Sequence, residues 1–170
     1  MLLLTLFACS GELLTIDVDM TAETTVDGAG LLGGMLDTLD FTGFNSFDLL
    51  DSQELANQGV EEEDIREVYL EELTLEVLEG DELDFLNTID FYAEAPDVSR
   101  ALVASQDEFS GTFVEFTIAD LDLHDYVVAP SMTMDTEVNA SAPKDDTTLE
   151  AYARFSVRAT VGGAVRQSRK

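Results

Sequence analysis

Near the end of the chain, between residues 149 and 159, every second residue is apolar: Leu149, Ala151, Ala153, Phe155, Val157 and Ala159. Side chains on an extended strand point to opposite faces in turn. The spacing therefore puts six residues on one buried face and leaves Glu150, Tyr152, Arg154 and Arg158 on the other. A helix would spread the same six around its circumference, so this stretch must be a strand with one face in a core. Gly162-Gly163 ends the pattern.

The same period recurs upstream. Leu14, Ile16 and Val18 alternate with Thr15, Asp17 and Asp19, and β-favouring residues continue to Val26 before Asp27-Gly28. Ile89, Phe91 and Ala93 alternate with Asp90 and Tyr92, and residues 101–105 read as a further strand beyond a Pro96-Asp97 turn. Val114, Phe116 and Ile118 mark one strand over 113–118, and Met132, Met134, Thr136 and Val138 mark the next. The segment 65–78 holds two apolar sets, Val68 with Leu70 and Leu73 with Leu75 and Val77, which are out of phase at Glu71-Glu72. One surplus residue there keeps both sets on one face, which predicts a β-bulge or a short break.

Helical signals are few. Asp51-Ser52 reads as an N-cap, with Glu54 in the first turn and Gly59 as the stop of a two-turn helix. Leu121, Leu123, Tyr126 and Val127 suggest a short helical or looped crossing, and Asp81 is placed to cap a brief turn holding Leu83, Phe85 and Leu86. Gly28, Gly30, Gly33 and Gly34 make a loop whose spacing does not form a phosphate cradle, and short extended pieces are expected at 39–41 and 44–50. Seven to nine strands with frequent turns imply an all-β, antiparallel β-sandwich, Ig-like or jelly-roll-like, with one or two short helices. We expect one domain over 9–160, then a basic, disordered tail over 161–170.

Charge narrows the partners. The chain has 36 Asp and Glu against 8 Lys and Arg, a net charge of −28, which repels phosphate backbones and excludes nucleic-acid binding as an expectation. The same charge keeps the body of the protein off anionic lipid and suits solubility, cation attraction or high salt. One cysteine rules out an intramolecular disulfide, so stability has to come from the core.

Catalytic constellations are absent from the pattern. His124, the single histidine, has Asp122 and Asp125 nearby but no serine in a nucleophile elbow, and several Cys or His ligands for zinc are lacking. Thirty-six acids make any close carboxylate pair uninformative about glycoside hydrolysis. Calcium is the better ionic hypothesis, because it takes clustered carboxylate oxygens. Asp17 to Gly28 fails as an EF-hand loop, with Ala22 where glycine is needed and Gly28 where the bidentate glutamate belongs. Two clusters are left as calcium candidates, Glu61, Glu63 and Asp64 with Glu62 between them, and Asp120, Asp122 and Asp125. The competing reading is that these acids cap turns and keep loops solvated.

Residues 1–10 carry the one address in the chain. Leu2 to Ala8 is an apolar run far too short to span a bilayer, and it leads into Cys9. Leu6-Phe7-Ala8-Cys9 resembles a bacterial lipobox; Phe7 departs from the small residue usual there, and no basic segment precedes the run. We expect Met1 to be an internal start, residues 1–8 to be the end of a signal, and Cys9 to be the lipidated residue. The alternative is a buried first strand with Cys9 as a small core residue.

Ile65, Val68, Leu70, Leu73 and Leu75, the run Asp84-Phe85-Leu86 followed by Ile89 and Phe91-Tyr92-Ala93-Glu94-Ala95, and Ala129-Pro130-Ser131-Met132-Thr133-Met134 resemble small bacterial lipoproteins without an assigned activity. The resemblance implies fold and export, and Ser10 after the cysteine would permit sorting to the outer membrane. We therefore expect an exported, lipid-anchored envelope protein facing periplasm or exterior. It would act as a non-enzymatic structural or interaction module, with an envelope protein as a possible partner and no required cofactor. The alternative is a calcium-dependent β-sandwich that binds an extracellular polymer or partner.

Overall fold

The computed structural model describes residues 13–28, 35–36 (backbone) and 49–160; Cys9, residues 29–34, the extended piece expected at 39–41, all but the last two residues of the one expected at 44–50, and the tail 161–170 lie outside the described residues. Leu49 and Leu50 are not extended but open a 3-10 turn, Leu49–Asp51, that leads into the Ser52 cap. Nine strands are described: β1 (Leu13–Val26), β2 (Met35–Leu36), β3 (Ile65–Glu79), β4 (Leu86–Ala95), β5 (Val98–Gln106), β6 (Phe113–Glu115), β7 (Thr117–Ile118), β8 (Thr133–Ser141) and β9 (Thr147–Thr160). Two short helices join them, α1 (Gln53–Gln58) and α2 (His124–Val127).

The strands form two sheets, one ordered β1-β9-β3-β6 and the other β2-β8-β4-β5-β7. Every pairing is antiparallel. The pairs are nested: β4 with β5, β3 with β6, β2 with β8 and β1 with β9. The chain is thus a long antiparallel hairpin, folded at Pro96-Asp97 and rolled so that β9 also meets β3 and β8 also meets β4. This is the strand order of a jelly roll. An immunoglobulin sandwich would pair its first two strands with each other, whereas here the first strand pairs with the last.

Local sequence explains the ladders. In β9 the six alternating residues from Leu149 to Ala159 are all fully buried. β1 buries Ile16, Val18, Ala22 and Val26 against the same core and pairs with β9 without a register slip from Leu13↔Thr160 to Val26↔Thr147. β4 contributes Ile89, Phe91 and Ala93, and β8 contributes Met134, Thr136, Val138 and Ala140. The space between the sheets is closed by Phe116, whose ring meets Phe91 edge-on at 5.2 Å between centroids.

The surplus residue expected at Glu71-Glu72 is present: the register against β9 shifts between Leu70 and Glu72, which returns Leu73 and Leu75 to the face used by Val68 and Leu70. Two further slips occur, between Ile65 and Glu67 and between Val77 and Glu79. The first was signalled by Ile65 and Val68, both buried but three residues apart.

Residues 113–118 do not form one strand of one sheet. Val114 pairs with Leu75 as part of β6, while Ile118 pairs with Ala104 as part of β7 in the other sheet. Phe116 turns the corner, its N–H donating to the Leu73 carbonyl at 2.9 Å. Alternation is blind to such a switch, because a strand that changes sheets keeps the same side toward the core.

α1 begins and ends as expected. The Ser52 hydroxyl accepts from the Leu55 N–H at 3.4 Å, and Gly59 closes the helix in the left-handed region at φ 65°. Asp81, in contrast, is not the cap of the turn at Leu83–Phe85, whose N-cap is Glu82. Its carboxylate instead accepts from the backbone N–H groups of Lys144 and Asp145 and ties the β8–β9 connection to the end of β3. Gly80 lies in the same join at φ 109°, where a Cβ would come within 2.5 Å of the Asp146 carbonyl oxygen.

Candidate functional site

Of the six carboxylates picked out as calcium candidates, Glu61, Glu63 and Asp64 precede β3 and Asp122 meets its Val68. Glu61 to Asp64 form the turn that feeds β3, with a 3-10 segment at Glu62–Asp64. Asp64 is buried, and its Oδ2 accepts from the Glu61 N–H at 3.3 Å in a capping box. From the other sequence cluster, the Asp122 Oδ1 accepts from the Val68 N–H and from the His124 N–H, each at 3.0 Å. The Leu123 N–H donates to the Val68 carbonyl at 2.7 Å, so Asp122 and Leu123 together pair with Val68 as a strand would. They can do so because β6 covers β3 only over Thr74–Glu76.

Asp125 is spent on His124, with Oδ1 at 3.1 Å from Nδ1, and Asp120 is exposed. The fold therefore brings Glu61 to Asp64 and Asp122 to the same end of one strand, but turns Asp64 and Asp122 toward backbone N–H groups. Among the described residues no group of three His, Cys, Asp or Glu side chains is arranged to hold a metal ion.

A concavity lies at the other end of the sandwich. It is an open depression of about 430 Å³ lined by Asp81, Asp84, Phe85, Ser141, Pro143 and Lys144. Its structure is a set of loop ties: Asp81 holds residues 144 and 145, the Asp81 N–H donates to Thr147 Oγ1 at 3.0 Å, and the Gly28 N–H donates to Asp146 Oδ1 at 2.8 Å. Each tie uses a side-chain oxygen to satisfy backbone donors at a strand end.

Periodicity placed Arg154 and Tyr152 outward but said nothing of their partners, and the other arginine clamp it did not single out at all. On the outer face of the β4-β5-β8 sheet, Arg100 reaches Glu94 at 2.6 Å, Asp135 at 3.0 Å and Glu137 at 2.5 Å, and its guanidinium lies 3.6 Å from the centre of the Tyr92 ring. The Glu137 hydrogen bond, foremost, pushes the Arg100 guanidinium above its ordinary range. On the outer face of the other sheet, Arg154 reaches Asp19 at 2.8 Å and Glu72 at 3.2 Å, and Nη2 donates to the Tyr152 hydroxyl. That hydroxyl donates in turn to Asp19 Oδ1 at 2.7 Å.

Arg154 and then Tyr152 hold the Asp19 carboxyl below the usual range, while desolvation followed by the Asp19 hydrogen bond pushes the Tyr152 phenol up. These clamps fasten neighbouring strands across an acidic face. The available signal was scarcity: with so few cations among so many acids, the outward arginines of β5 and β9, Arg100, Arg154 and Arg158, find carboxylates on the flanking strands.

Cys9 lies outside the described residues. No helix among the described residues is long and apolar enough to cross a membrane. No protein-family model matches the chain, and no curated protein matches its sequence.

Proposed function

We propose that this chain is a lipid-anchored protein of the bacterial envelope whose jelly roll acts as a non-enzymatic structural or interaction module, in the outer membrane and facing periplasm or exterior. The observation that carries the reading is the lipobox-like Leu6-Phe7-Ala8-Cys9 set four residues before β1 begins at Leu13. Lipidation at Cys9 would leave the described β-sandwich whole, since its first described core residue, Ile16, follows that point. The polar network supports a structural role as well, because Asp64, Asp81, Asp122 and the clamps of Arg100 and Arg154 all serve caps, loop ties or strand faces.

The test is Cys9→Ser in the expressed full-length protein, read by detergent phase partition and by the mass of the N-terminal peptide. The expected result is transfer from the detergent phase to the aqueous phase with loss of the acyl mass. A Cys9→Ser protein that still partitions with detergent would sink the anchor.

The calcium-dependent reading has one observation in its favour: of its candidates Glu61, Glu63, Asp64, Asp120, Asp122 and Asp125, the first three lead into β3 and Asp122 accepts from the Val68 N–H near the start of that strand. A cation bound only by the folded state raises the melting temperature as its concentration exceeds Kd. Titration with calcium chloride in the millimolar range, without heat or a rise in melting temperature, removes this reading.

A further inference from the structure

β1 is the outer strand of its sheet, and among the described residues no strand pairs with it on the side away from β9. Which of its backbone groups face that side follows from β3. The Val68 N–H and carbonyl are bonded to Asp122 and Leu123, so they point away from β9. Val68 stands opposite Val157, and in an antiparallel ladder both members of such a pair turn away from each other, which aims Val157 at β1. Val157 stands opposite Ile16, so Ile16 and every second residue along β1 bond to β9. The alternate set, Leu13, Thr15, Asp17, Asp19, Thr21, Glu23 and Thr25, presents its N–H and carbonyl groups along a free edge. All seven residues are exposed.

A free edge of fourteen residues is a template for another strand, and proteins usually blunt one with proline, lysine, a bulge or shortness. β1 has no proline and no lysine, and it keeps register with β9 throughout. What it carries is negative charge. Glu23 lies opposite Glu150, and Glu150 opposite Glu76, so three carboxylates stand in one row across three strands. Like charges so placed are unfavourable. Among the described residues none of the three, nor Asp17, is ion-paired with a cation, and Arg154 already serves Asp19.

A second copy of the chain would set Asp17, Asp19 and Glu23 of one edge against the same residues of the other, with a net charge of −28 on each. Charge thus selects a cationic occupant. On the inward side of β1, Leu14 and Met20 are only half-buried against the core, which leaves apolar surface for an added strand to cover.

We infer that the free edge of β1 takes a strand from a partner protein, an extended segment with lysine or arginine at alternate positions and apolar residues between them. Its backbone bonds to the odd-numbered residues from Leu13 to Thr25, its cations lie beside Asp17 and Glu23, and its apolar side chains cover Leu14 and Met20. A cation beside Glu23 offsets the repulsion along the row it shares with Glu150 and Glu76. This pairing rests on the interaction half of the proposed function and makes no use of Cys9.

The probe is an end-blocked peptide of about nine residues that alternates lysine and valine, long enough for one strand. It is titrated into the full-length protein at about 0.15 M salt, by calorimetry and by amide exchange. Two methylated forms separate pairing from charge. Methyl groups on the lysine backbone nitrogens, which face β1 in this arrangement, remove the donors; methyl groups on the valine nitrogens, which face solvent, do not.

The lysine-methylated peptide is expected to bind at least about tenfold more weakly than the valine-methylated one. The unmethylated peptide should slow exchange at Thr15, Asp17, Asp19, Thr21, Glu23 and Thr25 and leave Ile16, Val18 and Met20 unchanged. D17K/E23K should weaken it by about tenfold. The variant should melt no lower than the parent, because E23K sets a cation opposite Glu150. Equal affinity of the two methylated peptides, unchanged exchange at the odd-numbered amides, or equal binding of a glutamate–valine peptide overturns the inference. So does an absence of binding up to about 1 mM. None of these outcomes alters the detergent partition of Cys9→Ser, so the anchor stands or falls separately.

Discussion

β9 and β3 lie side by side, one fourteen and the other fifteen residues long, yet they keep time differently. β9 holds an unbroken period, pairing residue for residue with β1, while β3 slips three times against it. The difference lies in their neighbours. β9 has a strand on each side along nearly its whole length, so an extra residue would break two ladders at once. β3 is bonded on its far side by β6 only over Thr74–Glu76, and all three slips fall outside that window. Surplus residues collect where one side of a strand is open. The open side is then patched by other means, as Asp122 and Leu123 do at Val68.

The largest effect expected from this contrast is deletion of Arg154 from β9. Without it, either Leu149, Ala151 and Ala153 or Phe155, Val157 and Ala159 must turn outward, and cooperative unfolding in urea should be lost. Deletion of Glu71 from β3 removes the surplus residue and leaves Leu70 and Leu73 two apart, so every inward set keeps its face and unfolding should stay cooperative. An equal loss in both would mean that β3 is no more tolerant of a changed residue count than β9.

Next is Phe155→Ala at the centre of β9, fully buried and paired with Leu70; a cost of about 3–5 kcal/mol is expected from urea midpoints. A cost below that of Leu70→Ala would show that the doubly bonded strand is not the less forgiving of the two. Gly80→Ala, at the slipped end of β3, should cost about 1–3 kcal/mol, because φ 109° and the Asp146 carbonyl both oppose a side chain.

The smallest effect concerns the outer face that β9 shares with β1. Arg154 and Tyr152 depress the folded-state pKa of Asp19, so its contribution is fully present above the unfolded value near about 3.9 and is lost as pH falls through the lower folded value. The Asp19 side chain is 53 % exposed, so solvent screens the pair and the contribution is well under about 1 kcal/mol. Asp19→Asn should flatten slightly the decline of the urea midpoint between pH 4 and pH 2, a range set around that ordinary carboxylate value. A steeper decline in the variant would contradict the assignment.

Much of the sandwich could be read from residue order. The faces of β1, β4, β8 and β9, the bulge at Glu71 and the caps Ser52 and Gly59 follow from side-chain direction and local hydrogen bonding, which a strand or helix carries wherever it is placed. The switch at Phe116 and the tie made by Asp81 could not be read, because each depends on what lies across a gap in sequence. The acidic clusters were half legible. Their residues are clear, but whether a carboxylate meets solvent, a cation or the N–H of Val68 depends on which strand is left open beside it.

What the residue order determined by itself is an antiparallel β-sandwich with a strongly acidic surface, because alternation and net charge are properties of the chain alone. What only the tertiary structure decided is which edges meet. Any of several strands could have satisfied the backbone of β1, and the choice went to β9, whose paired residue for Leu13 is Thr160, because rolling the nested hairpin buries every inward set at once. That choice brings the two ends of the domain to one pole. No local signal specifies it, since pairing across so long a separation is chosen by the burial of the whole core.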